Sequence, residues 1–257
     1  MRILLANDDG IYAPGLAAME KALSSLGEVT VIAPATEQSG VGHAITFLNP
    51  LVCKEVFDGD RRRGLAVEGS PADCVKLGVV ELMKPRPDLI VSGINGGLNA
   101  GINVLYSGTV AAAIEGAFFG ITSVAVSLEW DEQADFTRAA EMARQVIAQI
   151  LQHKSAASRL YNLNIPTAAT KLPPGHAELK VVPMGVARYG EHFIKRKDPR
   201  NRDYYWATGD PRPEHGEEET DLSALEKGCL TLTPLHFDMT ERAQIEEMKP
   251  WDLRVVD

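Results

Sequence analysis

Residues 3–15, ILLANDDGIYAPG, decide the fold predicted for the start of the chain. The apolar run ILLA is short and stops at a polar turn that contains a glycine, which is typical of a buried strand. Pro14 suits the first turn of a helix, and apolar residues then recur at helical spacing as far as Gly27. Residues 29–33, VTVIA, form a second buried strand, which Pro34 ends. Because strand crossovers are right-handed, this opening is a β-α-β unit with two parallel strands.

The middle of the chain repeats the alternation of strands and helices. Ser70, Pro71 and Asp73 have the spacing of a helix start, with a capping serine and an acid three residues later. Further strands are predicted at residues 88–92, 124–128 and 161–166, and further helices at residues 109–119 and 136–152. This spacing predicts an α/β fold with a doubly wound, mostly parallel sheet.

After residue 170 the rhythm changes. We predict a catalytic core in residues 1–170 and a C-terminal, β-rich extension or arm in residues 171–257, with strand-like runs near residues 179–182 and 229–235. Residues 188–206 combine Lys and Arg with Tyr and Trp, a mixture that also occurs where proteins bind single-stranded nucleic acids. We favour an arm that packs on a partner subunit and forms a homodimer or homotetramer.

The composition is that of an ordinary globular protein. The 257 residues are 45% hydrophobic and 24% charged, and the net charge is −9 at pH 7. An acidic surface opposes the salt-driven binding of nucleic acids, which requires many cationic side chains. The three cysteines form no CxxC pair and suit a reducing compartment, and no apolar run is long enough to span a membrane. We expect a cytoplasmic protein that binds neither membranes nor nucleic acids.

Unusual polar residues follow the first predicted strand. Asn7, Asp8, Asp9 and Gly10 form a turn in which the two carboxylates can face one point. Carboxylate oxygens suit a hard divalent cation such as Mg²⁺ or Mn²⁺, which would also relieve their mutual repulsion. Taken alone, the two acids are equally consistent with turn formation and helix capping in a solvated loop.

Two further strand ends carry polar residues. The loop of residues 36–43 contains Ser39 and His43, and the histidine is a possible general acid or an ordinary surface residue. Asn95 offers a side-chain carbonyl to a cation. Residues 107–109, SGT, offer hydroxyls and free N–H groups at the positive end of a helix, which favours an anion. Because ligands bind at the carboxyl ends of parallel strands, the three sets together predict metal-assisted phosphoryl chemistry.

At these residues the sequence resembles the survival protein E (SurE) family of nucleotidases. The matching segments are ILLANDDGIYAPG (3–15), APATEQSGVGHAIT (33–46), GSPADCV (69–75), DLIVSGINGGLNAGIN (88–103), YSGTVAAAIEG (106–116), NLNIP (162–166) and TLTPL (231–235). The resemblance implies a Rossmann-like core and an arm used in assembly. It also implies metal-dependent hydrolysis of nucleoside monophosphates as a 5′-nucleotidase, with 3′-nucleotidase and exopolyphosphatase activity as possible additions.

The resemblance also implies roles for individual residues. One divalent cation per subunit, Mg²⁺ or Mn²⁺, is expected on Asp8, Asp9, Ser39 and Asn95, with Asp8 and Asp9 as the catalytic residues. The expected substrate and phosphate contacts are Asn7, Gly40, Ser107, Gly108 and Thr109.

Two alternatives remain open at this point. Phosphatases that form an aspartyl-phosphate use a DxD turn after the first strand, whereas the acids here are adjacent. A nucleotide- or metal-binding module without turnover would carry the same residues.

Overall fold

The computed structural model describes residues 1–153, 159–186, 192–208, 218–251 and 253–255. The strands within these ranges are β1 (Arg2–Ala6), β2 (Glu28–Pro34), β3 (Cys53–Asp58), β4 (Arg61–Val67), β5 (Leu89–Gly96), β6 (Ser123–Leu128), β7 (Leu160–Ile165), β8 (Leu179–Val181), β9 (His192–Lys197), β10 (Asp203–Thr208) and β11 (Leu230–Leu235). Nine of them form one sheet in the order β3-β4-β2-β1-β5-β6-β7-β11-β8, and β9 and β10 form a separate hairpin.

Helices cover both faces of the sheet. They are α1 (Pro14–Leu23), α2 (Pro71–Leu77), α3 (Gly108–Phe118), α4 (Phe136–Gln152), α5 (Thr167–Thr170), α6 (Asp221–Glu226) and α7 (Arg242–Met248). Ile3 and Leu5 of β1 lie in one apolar cluster with α1 and α4, whereas Leu4 and Ala6 lie in another with α2 and α3. Because successive strand residues face opposite ways, β1 is buried on both faces.

The strand order reverses at β1. Strands β4, β2, β1, β5, β6 and β7 are mutually parallel. The chain leaves β1 toward β2 on one side and later returns to β5 on the other, so the loops after β1 and β5 meet at the switch point where open α/β sheets bind ligands. The predicted doubly wound sheet is confirmed.

Most predicted element starts are confirmed, with two shifts in where elements end. Ser70 caps α2 and forms the predicted capping box with Asp73. Helix α1 ends at Leu23 rather than near Gly27, because the Ser24 and Ser25 hydroxyls donate to main-chain carbonyls of the last turn and compete with helical bonding. Strand β5 continues to Gly96, four residues beyond the prediction, through an irregular register between Ser92 and Asn95.

The strands β3 and β4 are absent from the prediction. They form an antiparallel pair, and β4 extends the parallel sheet beside β2. Gly64 of β4 lies so close to β2 that an added Cβ would be 2.6 Å from the Val31 carbonyl oxygen.

Part of the predicted extension completes the central sheet. Strand β11 pairs antiparallel to β7, and β8 pairs parallel to β11. The hairpin β9–β10 pairs only with itself in the described part of the chain. Arg188 and the acidic residue Glu217 of the predicted arm lie outside the described residues. The division of the chain at residue 170 stays a prediction. In the described residues, no helix is both long enough and apolar enough to cross a membrane.

Candidate active site

The turn after β1 holds the two acids of the predicted site. The Asn7 side-chain amide donates to the Gly10 carbonyl at 2.9 Å and closes the turn. Gly10 has a φ of +97°, in the left-handed region that a glycine adopts without strain. Asp8 is buried and Asp9 is partly buried. Both carboxylates therefore belong to a tight turn at the carboxyl edge of the sheet, as the sequence predicts.

Helix α3 begins directly against this turn. The Thr109 hydroxyl donates to Asp8 Oδ1 at 2.5 Å, although the two residues are 101 positions apart. Ser107 caps α3 by accepting the Val110 N–H. An added Cβ on Gly108 would lie 2.9 Å from Asp8 Cβ and 3.1 Å from Pro71, so only glycine allows this approach. The positive end of α3 thus meets the Asp8 carboxylate.

The end of β5 supplies the next contact. The Gly96 N–H donates to Asp9 Oδ2 at 3.2 Å. The Asn95 side-chain nitrogen donates to the Gly97 carbonyl at 2.6 Å. Because the nitrogen is engaged in this way, the side-chain oxygen of Asn95 is the atom left to act as a ligand. The structure therefore brings the Asp9 turn and the Asn95 segment together.

Burial and charge disfavour the ionised form of both acids. Burial raises the pKa of Asp8, and the hydrogen bonds from Thr109 offset part of that rise. Burial and the neighbouring Asp8 charge raise the pKa of Asp9 to about 6, against 3.8 ordinarily. Glu37 adds a smaller repulsion to both carboxylates. A bound cation would remove this accumulated repulsion.

The loop of residues 36–43 lies over the turn. The Gln38 N–H donates to the Asp8 carbonyl oxygen at 2.8 Å. Ser39 is exposed, and its hydroxyl donates to Glu37 Oε1 at 2.6 Å. Gly40 is exposed with a φ of +71°, and its Cβ position is open on all sides. The loop that carries Ser39 and Gly40 is therefore fixed to the acidic turn by its main chain.

His43 is engaged away from the two acids. Its Nε2 lies 2.9 Å from the buried Glu115 carboxylate of α3, and Lys76 approaches the same carboxylate at 3.8 Å. The imidazole also stacks on Phe118, with ring centroids 5.3 Å apart. The structure gives His43 the role of fixing the loop of residues 36–43 to α3, and its use as a general acid stays a prediction.

A hard divalent cation fits the side chains at this edge. All the predicted ligand atoms are oxygens, as Mg²⁺ and Mn²⁺ prefer. The buried side-chain oxygen of Asn7 has no hydrogen-bond partner among the described residues. The part of the chain that the structure describes contains no group of three or more His, Cys, Asp or Glu placed to hold a metal ion. A cation here would therefore need neutral oxygens, such as those of Ser39 and Asn95, beside the two carboxylates.

Two features of the site escape sequence reasoning. Glu37 adds a third negative charge beside Asp8 and Asp9, yet it stands in the sequence as one polar loop residue among several. Its position two residues before Ser39 is the available signal. The Thr109–Asp8 bond joins segments far apart in the chain, so local patterns contain no trace of it.

Comparison with known proteins gives consistent results. A family model described as Survival protein SurE matches residues 3–191. A protein of Rhodopirellula baltica named 5′-nucleotidase SurE is 59% identical over 99% of this chain and 100% of its own length. A protein of the same name from Heliobacterium modesticaldum is 42% identical over 98% of this chain and 92% of its own. The crystal structure of the Sure protein from Aquifex aeolicus superposes with a TM-score of 0.83 at 37% identity and covers 97% of this chain and 98% of that one.

Proposed function

The chain belongs to the survival protein SurE family, and from that premise we infer that it is a 5′-nucleotidase, an enzyme that hydrolyses nucleoside monophosphates to nucleoside and phosphate. The observation that carries this inference is the turn at the switch point of the sheet. There, two adjacent carboxylates have raised pKa values, and one of them, Asp8, meets the N-terminus of α3. This arrangement pairs a cation site with an anion site, which phosphoryl transfer needs.

We assign the cation, Mg²⁺ or Mn²⁺, to Asp8, Asp9, Ser39 and Asn95. When bound, the cation supplies a Lewis acid that polarises a phosphoryl oxygen and orients water. The Thr109 hydroxyl holds Asp8 Oδ1, and the Gly96 N–H holds Asp9 Oδ2, so both carboxylates keep fixed orientations. Fixed ligands need no rearrangement during the reaction.

The phosphate is assigned to the start of α3. The first N–H groups of a helix have no helical partners, and Ser107 satisfies only that of Val110. The Ser107 hydroxyl and the N–H groups of residues 107 and 108 would take up the charge that develops on the phosphoryl oxygens. Thr109, which donates to Asp8, would hold that carboxylate beside the phosphate. We also assign two further residues to the substrate: Asn7, on the turn after β1, and Gly40, on the loop that lies over that turn.

We extend the proposal to substrate range and assembly. Recognition through the phosphate and cation is consistent with 3′-nucleotidase and exopolyphosphatase activity, because neither needs a change at Asp8 or Asp9. The hairpin β9–β10 exposes aromatic residues on both of its faces, and we assign it to the contact that forms a homodimer or homotetramer.

Phosphate release tests the activity and its cation together. The substrates are AMP, GMP, CMP and UMP, each with Mg²⁺, with Mn²⁺ and with EDTA. We expect cation-dependent release, and Asp8→Asn lowers kcat/KM by at least about 10³-fold, because it removes several kcal/mol of charge stabilisation.

Asp135→Asn is the matched control. Asp135 caps α4 by accepting the Arg138 N–H, and asparagine caps a helix equally well, so activity is retained. Release that is indifferent to EDTA would refute the cation assignment. No release from any substrate by folded protein would refute the hydrolase assignment and favour a nucleotide-binding module.

A further inference from the structure

The segment NLNIP places two asparagines on β7. Asn162 and Asn164 are fully buried and, being two residues apart on a strand, face the same side of the sheet. Both side chains reach a single residue, Asn99, in the loop between β5 and α3. Their Nδ2 atoms donate to the Asn99 carbonyl oxygen at 2.7 Å and 3.1 Å. The Asn99 N–H in turn donates to Asn164 Oδ1 at 2.8 Å.

These three bonds all involve the main chain of Asn99. The Asn164 side chain accepts the N–H of Asn99 and donates to its carbonyl oxygen, as the main chain of a neighbouring strand would. Asn99 itself lies outside any strand. The Asn99 side chain makes a separate bond to Ser127 at 2.9 Å. The loop at Asn99 is thus held by hydrogen bonds as firmly as a strand in a sheet, although its backbone is irregular.

The loop is the only covalent link between two parts of the proposed site. It follows the end of β5, which carries the assigned cation ligand Asn95, and it ends at Ser107, which caps the phosphate-binding helix. The Asn95 side chain is itself fixed by the Gly97 carbonyl, two residues before Asn99. Gly97 donates to the Leu128 carbonyl of β6, and Gly101 donates to Asp221. Asn99 is therefore the middle of three points that fix the loop.

We propose that Asn162 and Asn164 are positioning residues that hold the main chain of Asn99 and thereby set the orientation of Asn95 toward the cation. The proposal rests on the function assigned above and names a support that lies outside the site itself. Residues that orient a ligand influence metal affinity without touching the metal.

A purely structural role accounts poorly for these side chains. The Asn162 side-chain oxygen is buried and has no hydrogen-bond partner among the described residues. The same is true of the Thr231 and Thr233 hydroxyls on the adjacent strand β11. Apolar side chains of similar volume would fill these positions without leaving polar atoms unpaired. Within the described ranges, the Asn162 side chain makes one hydrogen bond, and its acceptor is the Asn99 carbonyl oxygen.

The test measures Mn²⁺ binding by calorimetry on metal-stripped protein, with Asn164→Leu as the variant. We expect its dissociation constant to rise about 10- to 100-fold, the range typical of residues that orient a metal ligand. The Mn²⁺ concentration that half-activates AMP hydrolysis rises in parallel, while kcat at saturating Mn²⁺ falls less. Asn162→Leu removes one bond rather than two and has a smaller effect, and it serves as the test should Asn164→Leu not fold.

Leu23→Ala is the matched control for lost stability. Leu23 is buried at the end of α1 opposite the site, so this variant lowers the melting temperature and leaves the Mn²⁺ dissociation constant unchanged. An Asn164→Leu protein that binds Mn²⁺ as the wild type does overturns the positioning role alone. A wild-type protein that neither binds Mn²⁺ nor releases phosphate overturns the proposed function and this role with it.

Discussion

At the scale of the residue, Asp8 and Asp9 are neighbours in the chain with different surroundings. Asp8 is buried and receives the Thr109 hydroxyl, whereas Asp9 is partly exposed and receives one longer bond from Gly96. Burial and the Asp8 charge raise the pKa of Asp9 to about 6. The folded protein therefore holds a proton on Asp9 more tightly than the unfolded chain does. A proton and a cation compete for this position.

We predict that Asp9→Asn changes the pH dependence of stability in EDTA. Asp9 has a pKa of about 6 when folded and near 3.8 when unfolded, so the folded state binds more protons between these values. Wild-type stability from this group is then present below about pH 4 and lost as the pH rises toward 6. Asp9→Asn abolishes that loss and gives the more stable protein at pH 7.

Urea unfolding in EDTA from pH 4 to 8 measures the difference. Asp135→Asn, which changes the N-cap acid of α4, retains the wild-type profile. Parallel curves for wild type and Asp9→Asn would show that the Asp9 carboxylate does not titrate as the structure requires.

The sequence identifies some site residues better than others. Asp8, Asp9 and Asn95 follow strands of a parallel sheet, and topology alone brings such residues to one edge. The local contacts of Ser39 and His43 depend on partners, Glu37 and Glu115, whose positions follow from the packed loop and helix. Sequence patterns predict which strand end carries a side chain, but they do not predict which neighbouring side chain it contacts.

At the scale of the element, the start of α3 and the turn after β1 are in direct contact. Gly108 occupies the first position of α3, where alanine ordinarily stabilises a helix. Here an added Cβ would be 2.9 Å from Asp8 Cβ and 3.2 Å from Asp8 Oδ2. The close packing of helix on turn is thus part of how Asp8 is oriented.

We predict that Gly108→Ala lowers kcat for AMP about 10- to 100-fold, because displacing α3 from the turn moves the anion site away from the carboxylates. The measurement is steady-state kinetics at saturating Mn²⁺. Gly78→Ala is the matched control, since its Cβ would be 2.5 Å from Leu4 Cδ1 in the core. It destabilises the fold by about 1–3 kcal/mol and leaves kcat near the wild-type value. Equal loss of kcat in both variants would attribute the effect to general strain.

Buried elements are easier to predict from the sequence than exposed ones. Strand β1 is evident from its short apolar run and the polar turn that follows it. Helix α4 is evident from its amphipathic pattern, and it begins and ends where predicted. Strands β3 and β4 escape prediction because their sequences, CKEVFD and RRRGLAV, carry charges in place of an apolar run. Strand β3 is the edge of the sheet and pairs with β4, and β4 pairs with β2, so pairing between strands decides their structure. Tertiary pairing of this kind leaves no local signal.

At the scale of the whole molecule, an acidic protein carries a basic, aromatic hairpin. The net charge is −9, yet β9 contains Lys195, Arg196 and Lys197. Ile194 pairs with Trp206 on one face, and Lys195 pairs with Tyr205 on the other. Trp206 is 61% exposed and Tyr205 is 58% exposed. In the described part of the chain, both faces of the hairpin therefore expose aromatic side chains. A two-stranded hairpin is marginally stable alone, so it requires a surface to pack on.

We predict that this surface is a second copy of the chain. Substituting Ile194→Ser and Trp206→Ser together removes the apolar pair from one face, and light scattering after gel filtration then gives a smaller mass than the wild type. Phe57→Ser, which changes an exposed aromatic residue on β3, leaves the mass unchanged. The KM for AMP is measured in parallel, because a hairpin that reaches a neighbouring active site would raise KM when altered. If mass and KM both stayed at wild-type values while the hairpin variant lost affinity for a single-stranded oligonucleotide, stacking on nucleic acid would replace assembly as the role of these aromatic residues.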